Sequence, residues 1–249
     1  MARGVPWITQ YASPSLIADF VYGERPRAED PRWRESGAPD VETYAAWCSR
    51  WCGMACFRMA LLARDGVAPT LYELAAGCAE YGAYTARGLV YRPFAEYARD
   101  KHGMRADVIP DLDPARLTAE LDAGRLVIAS VHAEIRRPEN DPPGTGGHLV
   151  LVTGHADGQV TFNNPSGHTP ETGVAALPAP VFDRFAARRG IALHMRPAAV
   201  DHWFPSAYGL NCCRNCEPQG AITLHSERTA YPWKAVTCAR FVELLFECF

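Results

Sequence analysis

The apolar positions of this chain change their period along its length. From Gly53 to Ala63 they run almost without a break, and Arg58 is the one charge among them. A helix that is apolar nearly all round belongs inside a core, and Asp65-Gly66 offers its end. Thr70-Leu71-Tyr72-Glu73 has the spacing of a capping box and predicts a second helix to about Glu80. A third is expected over roughly 93–101, closing at His102-Gly103. Asp113-Pro114 opens a fourth that stops at Gly124. Beyond that glycine the pattern turns to strands. Leu126 to Val131 is a continuous apolar run suited to a central strand, and 148–155 is a second. Asp157-Gly158 is a two-residue hairpin signal, with 159–163 pairing back. Residues 180–188 read as helix and 191–195 as a short strand. Helices first and strands afterwards predict an α+β fold, its N-terminal helical part packed on a C-terminal antiparallel β-sheet.

The polar stretches carry the rest of the organisation. Residues 4–10 read as a short strand entering a loop. Residues 22–41 are rich in Arg, Glu, Asp, Pro and Gly without periodicity, and read as a surface excursion. The run 136–147 holds three prolines and three glycines and is a loop. These two segments are expected to frame a cleft. The last fifty residues break the pattern: they hold Cys212-Cys213-Arg214-Asn215-Cys216 and a helix candidate from Ala235 to Phe249.

Composition narrows the classes. A net charge of −3 argues against a dominant nucleic-acid footprint. No 18-residue apolar run is present, so no membrane-spanning helix is expected. The first residues lack the apolar region of a signal peptide, which makes the cytoplasm the expected location. Nine cysteines, an odd number without a secretory signal, suit free thiols better than a disulfide framework.

One of those thiols stands apart. Cys52 opens the apolar helix, where unsatisfied N–H groups and the positive end of the helix dipole favour thiolate over thiol. Arg50 is expected to lower its pKa further. Gly53 leaves room beside it, and the Cys52 N–H is a candidate oxyanion donor. His148 begins a buried strand after a Gly-rich loop and is the candidate base. Asn164 closes the next strand, where its amide is placed to hold the imidazole, while Asn163 points to the opposite face. Taken singly, each has a plain structural reading. A cysteine on an apolar helix is usually a small hydrophobe, and Asn-Pro is a common turn. Cys56 is expected to be inert packing, and Cys48 is a rival nucleophile. Specificity lies in the ordered combination.

That combination resembles the C39-like, papain-fold cysteine peptidases. Trp51-Cys52-Gly53-Met54-Ala55-Cys56 resembles their Cys-Gly-Pro-Ala helix start, with Met54 in place of Pro. Gly124 to Val131 resembles the strand before their catalytic His. Gly147-His148-Leu149-Val150-Leu151-Val152-Thr153-Gly154 resembles their Gly-His-Tyr-Val-Val-Val-x-Gly motif. Asn163-Asn164-Pro165 lies where the family has Asn-Asp-Pro, so Asn164 stands for an Asp. The resemblance implies Cys52 as nucleophile, His148 as base and Asn164 as third member. Val5-Pro6-Trp7-Ile8-Thr9-Gln10 is similar to the family strand that carries an oxyanion Gln, which implies that role for Gln10. About forty residues separate Gln10 from Cys52, several times the usual gap, so 12–47 is expected to be an insertion or lid. The catalytic domain implied is 1–195, with 196–249 an extension of unknown role.

The resulting expectation is a cysteine-nucleophile acyl-transfer enzyme that cleaves an amide or peptide bond through a thioester. It needs no cofactor, and its partner is a peptide or a small-molecule amide or acyl substrate, with neither nucleic acid nor membrane. Two alternatives stay open: an acyltransferase using an amine or alcohol acceptor, and a non-catalytic papain-like binding protein. A structural zinc site from Cys212, Cys213 and Cys216 with His202 or His225 is a further reading of the tail.

Overall fold

The computed structural model describes residues 4–86 and 88–195. In chain order these form α1 (Ile17–Tyr22), α2 (Val41–Trp47), α3 (Cys52–Asp65), α4 (Leu71–Glu80), β1 (Tyr84–Thr85), β2 (Gly88–Leu89), α5 (Tyr91–His102), β3 (Ala106–Ile109) and α6 (Pro114–Asp122). There follow β4 (Arg125–His132), β5 (Gly147–Ala156), β6 (Gln159–Asn163), α7 (Pro170–Gly173), β7 (Val174–Pro178), α8 (Ala179–Phe185) and β8 (Ala186–His194). Strands β3 to β8 make a six-stranded antiparallel sheet in the order β3-β8-β4-β5-β6-β7. The fold is α+β, as the pattern predicts. No described helix is long and apolar enough to cross a membrane.

The continuous apolar runs of β4 and β5 follow from burial on both faces. Leu149 and Leu151 join Ile128, Ile191 and Leu193 in a core with Met54, Phe57 and Leu61 of α3. Val150 and Val152 alternate to the other face, where Val127, Val131, Phe162, Phe182 and Phe185 form a second core. Helix α3 is therefore a central element, buried from Gly53 to Leu61 except at Arg58. The capping box of α4 is complete: Thr70 and Glu73 bond each other's backbone N–H groups. The turn between β5 and β6 has Asp157 at φ 51° and Gly158 at φ 73°, the two left-handed residues that a tight hairpin requires.

Several expectations are corrected. Residues 4–9 form no strand. Pro6 has no N–H to give a ladder. The segment is held instead by the Asn163 side chain, whose Nδ2 donates to the Pro6 carbonyl at 3.1 Å. Helix α5 begins at Tyr91, ahead of its proline at the third position. The helix expected over 180–188 stops at Phe185, and the strand expected at 191–195 starts at Ala186. The 12–47 segment is no structureless excursion. It contains α1, α2 and three 3₁₀ turns, and its Asp30 is buried. Asp30 accepts from Ser13 N at 3.1 Å, Ser13 Oγ at 2.6 Å and the Tyr44 hydroxyl. Cys212, Cys213, Cys216, His202, His225 and the helix candidate at 235–249 lie outside the described residues.

Candidate active site

Three segments converge at the N-terminus of α3. The 3₁₀ turn Cys48–Arg50 delivers the chain to Cys52, the first residue of α3. Strand β5 brings His148, and the loop after β6 brings Asn164. The β5–β6 pairing shifts register between Val152 and Gly154, so the ladder places Asn163 opposite Leu151. Cys52 and His148 share one cleft of about 240 Å³ with Ser49, Arg50, Tyr91 and Arg189. The segments 22–41 and 136–147 do not frame it as expected. Of these only Gly147 belongs to the described lining, and Leu89 and Tyr91 form the wall opposite.

His148 is buried and its Nε2 lies 2.8 Å from Asn164 Oδ1. The orientation of that amide is fixed by its other partner. The Ser166 backbone N–H, which can only donate, lies 3.0 Å from the same Oδ1. The oxygen therefore faces the imidazole, and Nε2 must carry the proton. Nδ1 is left with its lone pair as the proton acceptor of the ring. The Ser166 hydroxyl is 3.1 Å from Nε2 and 3.2 Å from Oδ1, and it accepts from Arg136 Nε at 2.9 Å.

The charges here differ from those expected. Burial pushes the Cys52 thiol up to about 11, while backbone N–H groups at Leu149 and Gly53 and the charge of Arg136 pull the other way. The N–H groups at the helix start act in the expected direction, but desolvation costs the thiolate more than they return. The cation that acts on Cys52 is Arg136 rather than Arg50, whose guanidinium bonds the Ala46 carbonyl and lies over Trp47. Burial, with Arg136 next, also drives the His148 imidazole down to about 3. Both groups are thus neutral at pH 7. Arg136 and Ser166 were not anticipated. Arg136 lies in a surface-loop composition and acts through a tertiary contact, so nothing local marks it.

The other candidates separate in space. Cys48 is buried, its thiol is pushed up to about 12, and it is absent from the cleft lining. Cys56 is buried, with its Sγ 3.7 Å from the Leu149 carbonyl, a packing role. Gln10 is buried beside the site: its backbone N–H donates to the Pro165 carbonyl at 2.9 Å and its Nε2 to the Cys48 carbonyl at 3.0 Å. Its side chain does not line the cleft. Trp7 Nε1 donates to the Asn164 carbonyl at 2.8 Å, so the N-terminal segment clasps the loop that positions Asn164. Asn163 points the other way, toward Pro6 and Met59. Among the described residues no cluster of three or more His, Cys, Asp or Glu side chains could hold a metal.

No family model matches the chain, and no curated protein matches it. Three solved structures are similar to it in backbone path. The peptidase domain of Streptococcus ComA, a bifunctional transporter of a quorum-sensing pathway, is 17% identical at a TM-score of 0.43, over 58% of this chain and 91% of that one. A double-glycine motif protease from an AMS/PCAT transporter, solved in complex with its leader peptide, is 18% identical at 0.39, over 57% and 82%. A putative C39-like peptidase from Bacillus anthracis is 13% identical at 0.45, over 59% and 90%. These are likenesses of chain path at partial overlap, and the chemistry has to come from the side chains themselves.

Proposed function

We propose that this protein is a cysteine-nucleophile hydrolase that cleaves an amide or peptide bond through a thioester on Cys52. The observation that carries the proposal is the polarity of the His148–Asn164 pair. Ser166 N–H fixes the amide, the amide fixes Nε2–H, and Nδ1 is left as a base in the cleft that Cys52 lines. A C39-like peptidase chemistry agrees with this order of residues.

With both groups neutral at rest, His148 Nδ1 takes the thiol proton as sulfur attacks the carbonyl carbon. The developing oxyanion is met by the N–H of Cys52 at the helix start. Gln10 lies outside the cleft lining with its Nε2 on the Cys48 carbonyl, so the Cys52 N–H is the oxyanion donor of this reading. The imidazolium then protonates the leaving amine, and water, activated by the same nitrogen, releases the acyl group.

The test is intact-mass measurement after brief exposure to iodoacetamide. Among the four described cysteines, resolved by peptide mapping, the fastest adduct is expected at Cys52, lost in Cys52→Ala and slowed on the order of 100-fold in His148→Ala. Labelling of Cys52 no faster than that of Cys48, or indifferent to His148, would leave a non-catalytic binding protein as the better reading.

A further inference from the structure

Strand β8 departs from regular pairing beside the cleft. Its ladder with β4 runs to Ala129↔Gly190, slips, and resumes at Val131↔Ala186. Ser130 alone lies between these pairs on β4, whereas Ala187, Arg188 and Arg189 lie between them on β8. The excess is taken up at Arg188, which adopts φ 50°, a left-handed conformation uncommon for a residue with a β-carbon. Bulges of this kind re-aim side chains next to functional sites. Here the Arg188 side chain turns out to Asp183 at 2.8 Å, and Arg189 comes to the cleft wall with Cys52 and His148. The facing loop makes room for it. Gly146 stands at φ 80°, and a β-carbon there would come within 3.1 Å of Arg189 Nη2.

On the cleft side Arg189 meets no counter-charge, although Asp113 and Asp183 line the neighbouring cavity that it also borders. The described lining contains Arg50 and Arg189 and neither Asp nor Glu. Arg50 is occupied with the Ala46 carbonyl and the Trp47 ring, so among the described residues of the lining Arg189 is the cation that faces the cleft. Ser130 and Tyr91 flank it. Burial raises the Tyr91 phenol, and hydrogen bonding to Ser130 and Arg189 holds part of that rise back. A guanidinium presented this way, with two hydroxyls beside it, matches a planar or tetrahedral oxyanion.

We infer that the cleft selects substrates bearing an anionic oxygen group, a carboxylate or a phosphate, near the scissile bond, and that Arg189 is the residue that binds it. This rests on Cys52 being the reacting thiol, and it names the class of substrate brought to it.

The experiment compares two alkylating agents of the same size, iodoacetate and iodoacetamide, at Cys52 of the full chain by peptide mass spectrometry. The ratio of their rates cancels the intrinsic reactivity of the thiol and isolates recruitment of the anion. It is expected to fall about tenfold in Arg189→Gln, the scale of one charge-assisted contact. It should fall further in Arg189→Glu and be largely kept in Arg189→Lys. An unchanged ratio in both Gln and Glu variants overturns the inference. So does an equal fall in Arg50→Gln, which would make the effect a diffuse field rather than a binding residue. Protection from iodoacetamide by glutarate points to carboxylate substrates and by inorganic phosphate to phosphorylated ones; protection by neither counts against the site. A failure of the nucleophile reading shows separately, as an iodoacetamide rate indifferent to His148→Ala, while the ratio is still measured.

Discussion

Cys52 and His148 line one cleft in their neutral forms, and this sets how the site would work. Desolvation holds the thiol at about 11 and the imidazole at about 3, so no thiolate–imidazolium pair stands ready. The proton moves during attack. Alkylation of Cys52 is therefore expected to accelerate steadily from pH 6 to pH 10 without a plateau; a flat rate between pH 5 and 8 would show a preformed ion pair instead. Asn164 is the residue to change next. Its Oδ1 already accepts from His148, Ser166 N and Ser166 Oγ, so a carboxylate would find the same donors. In Asn164→Asp the added anion favours imidazolium, raising the His148 pKa by more than about one unit and speeding alkylation near neutrality. Proton NMR titration of the ring checks the first part. No upward movement would mean that Arg136 outweighs a carboxylate at 2.8 Å.

At the scale of elements, the segment between Gln10 and Cys52 is pinned rather than draped. Asp30 is the pin, buried and bonded to Ser13 and Tyr44, with Arg32 N–H donating at 3.0 Å. Asp30→Ala leaves these donors without their acceptor and is expected to cost about 3 kcal/mol in urea unfolding. A loss below about 1 kcal/mol would make the segment a loosely attached lid. This pin was not legible in the sequence, because an Asp in a run of charged residues looks solvated until Tyr44 is seen to close over it. What was legible has local causes. Helix α3 and strands β4 and β5 announce themselves because burial on all sides leaves an unbroken apolar run. Helix α4 shows its capping box, and the β5–β6 hairpin its Asp-Gly turn. The edge strands β3 and β7 alternate weakly over four and five residues and carry no such signal. The start of β8 reads as helix to residue 188 because Ala186-Ala187-Arg188 has good helix propensity, and pairing with β4 overrides it. For the site, the order Cys52, His148, Asn164 was readable along the chain. Ser166 holds the amide from two residues further on in a local turn, whereas Arg136, which sets the charge, enters only through tertiary contacts.

Over the whole molecule these groups link folding to protons, and the two signs differ. His148 titrates near 6.5 when unfolded and at about 3 when folded, so between those values the unfolded chain binds more protons. Stability is then fully present above pH 6.5 and is lost as pH falls toward 3, by at most about 1.4 kcal/mol per pH unit for this one buried group. Half-buried Cys52 and buried Cys48 act at the other end. Cys52 moves from 9.0 to about 11 and Cys48 from 9.0 to about 12, so above pH 9 the folded chain holds protons that the unfolded chain has released. Their contribution is intact below pH 9 and is lost as pH rises through 11. Urea midpoints measured from pH 4 to pH 11 should therefore be flat between about pH 7 and 9 and fall on both sides. His148→Gln should lessen the slope of the acid limb and Cys48→Ala that of the alkaline limb, to which the thiols of Cys52, Cys56 and Cys78, also raised by burial, contribute the rest. An acid limb that keeps its slope without His148 would assign it to His102 and His168, whose imidazoles burial also holds down. In that case His148 would titrate near its ordinary value of 6.5 in the folded protein rather than at about 3.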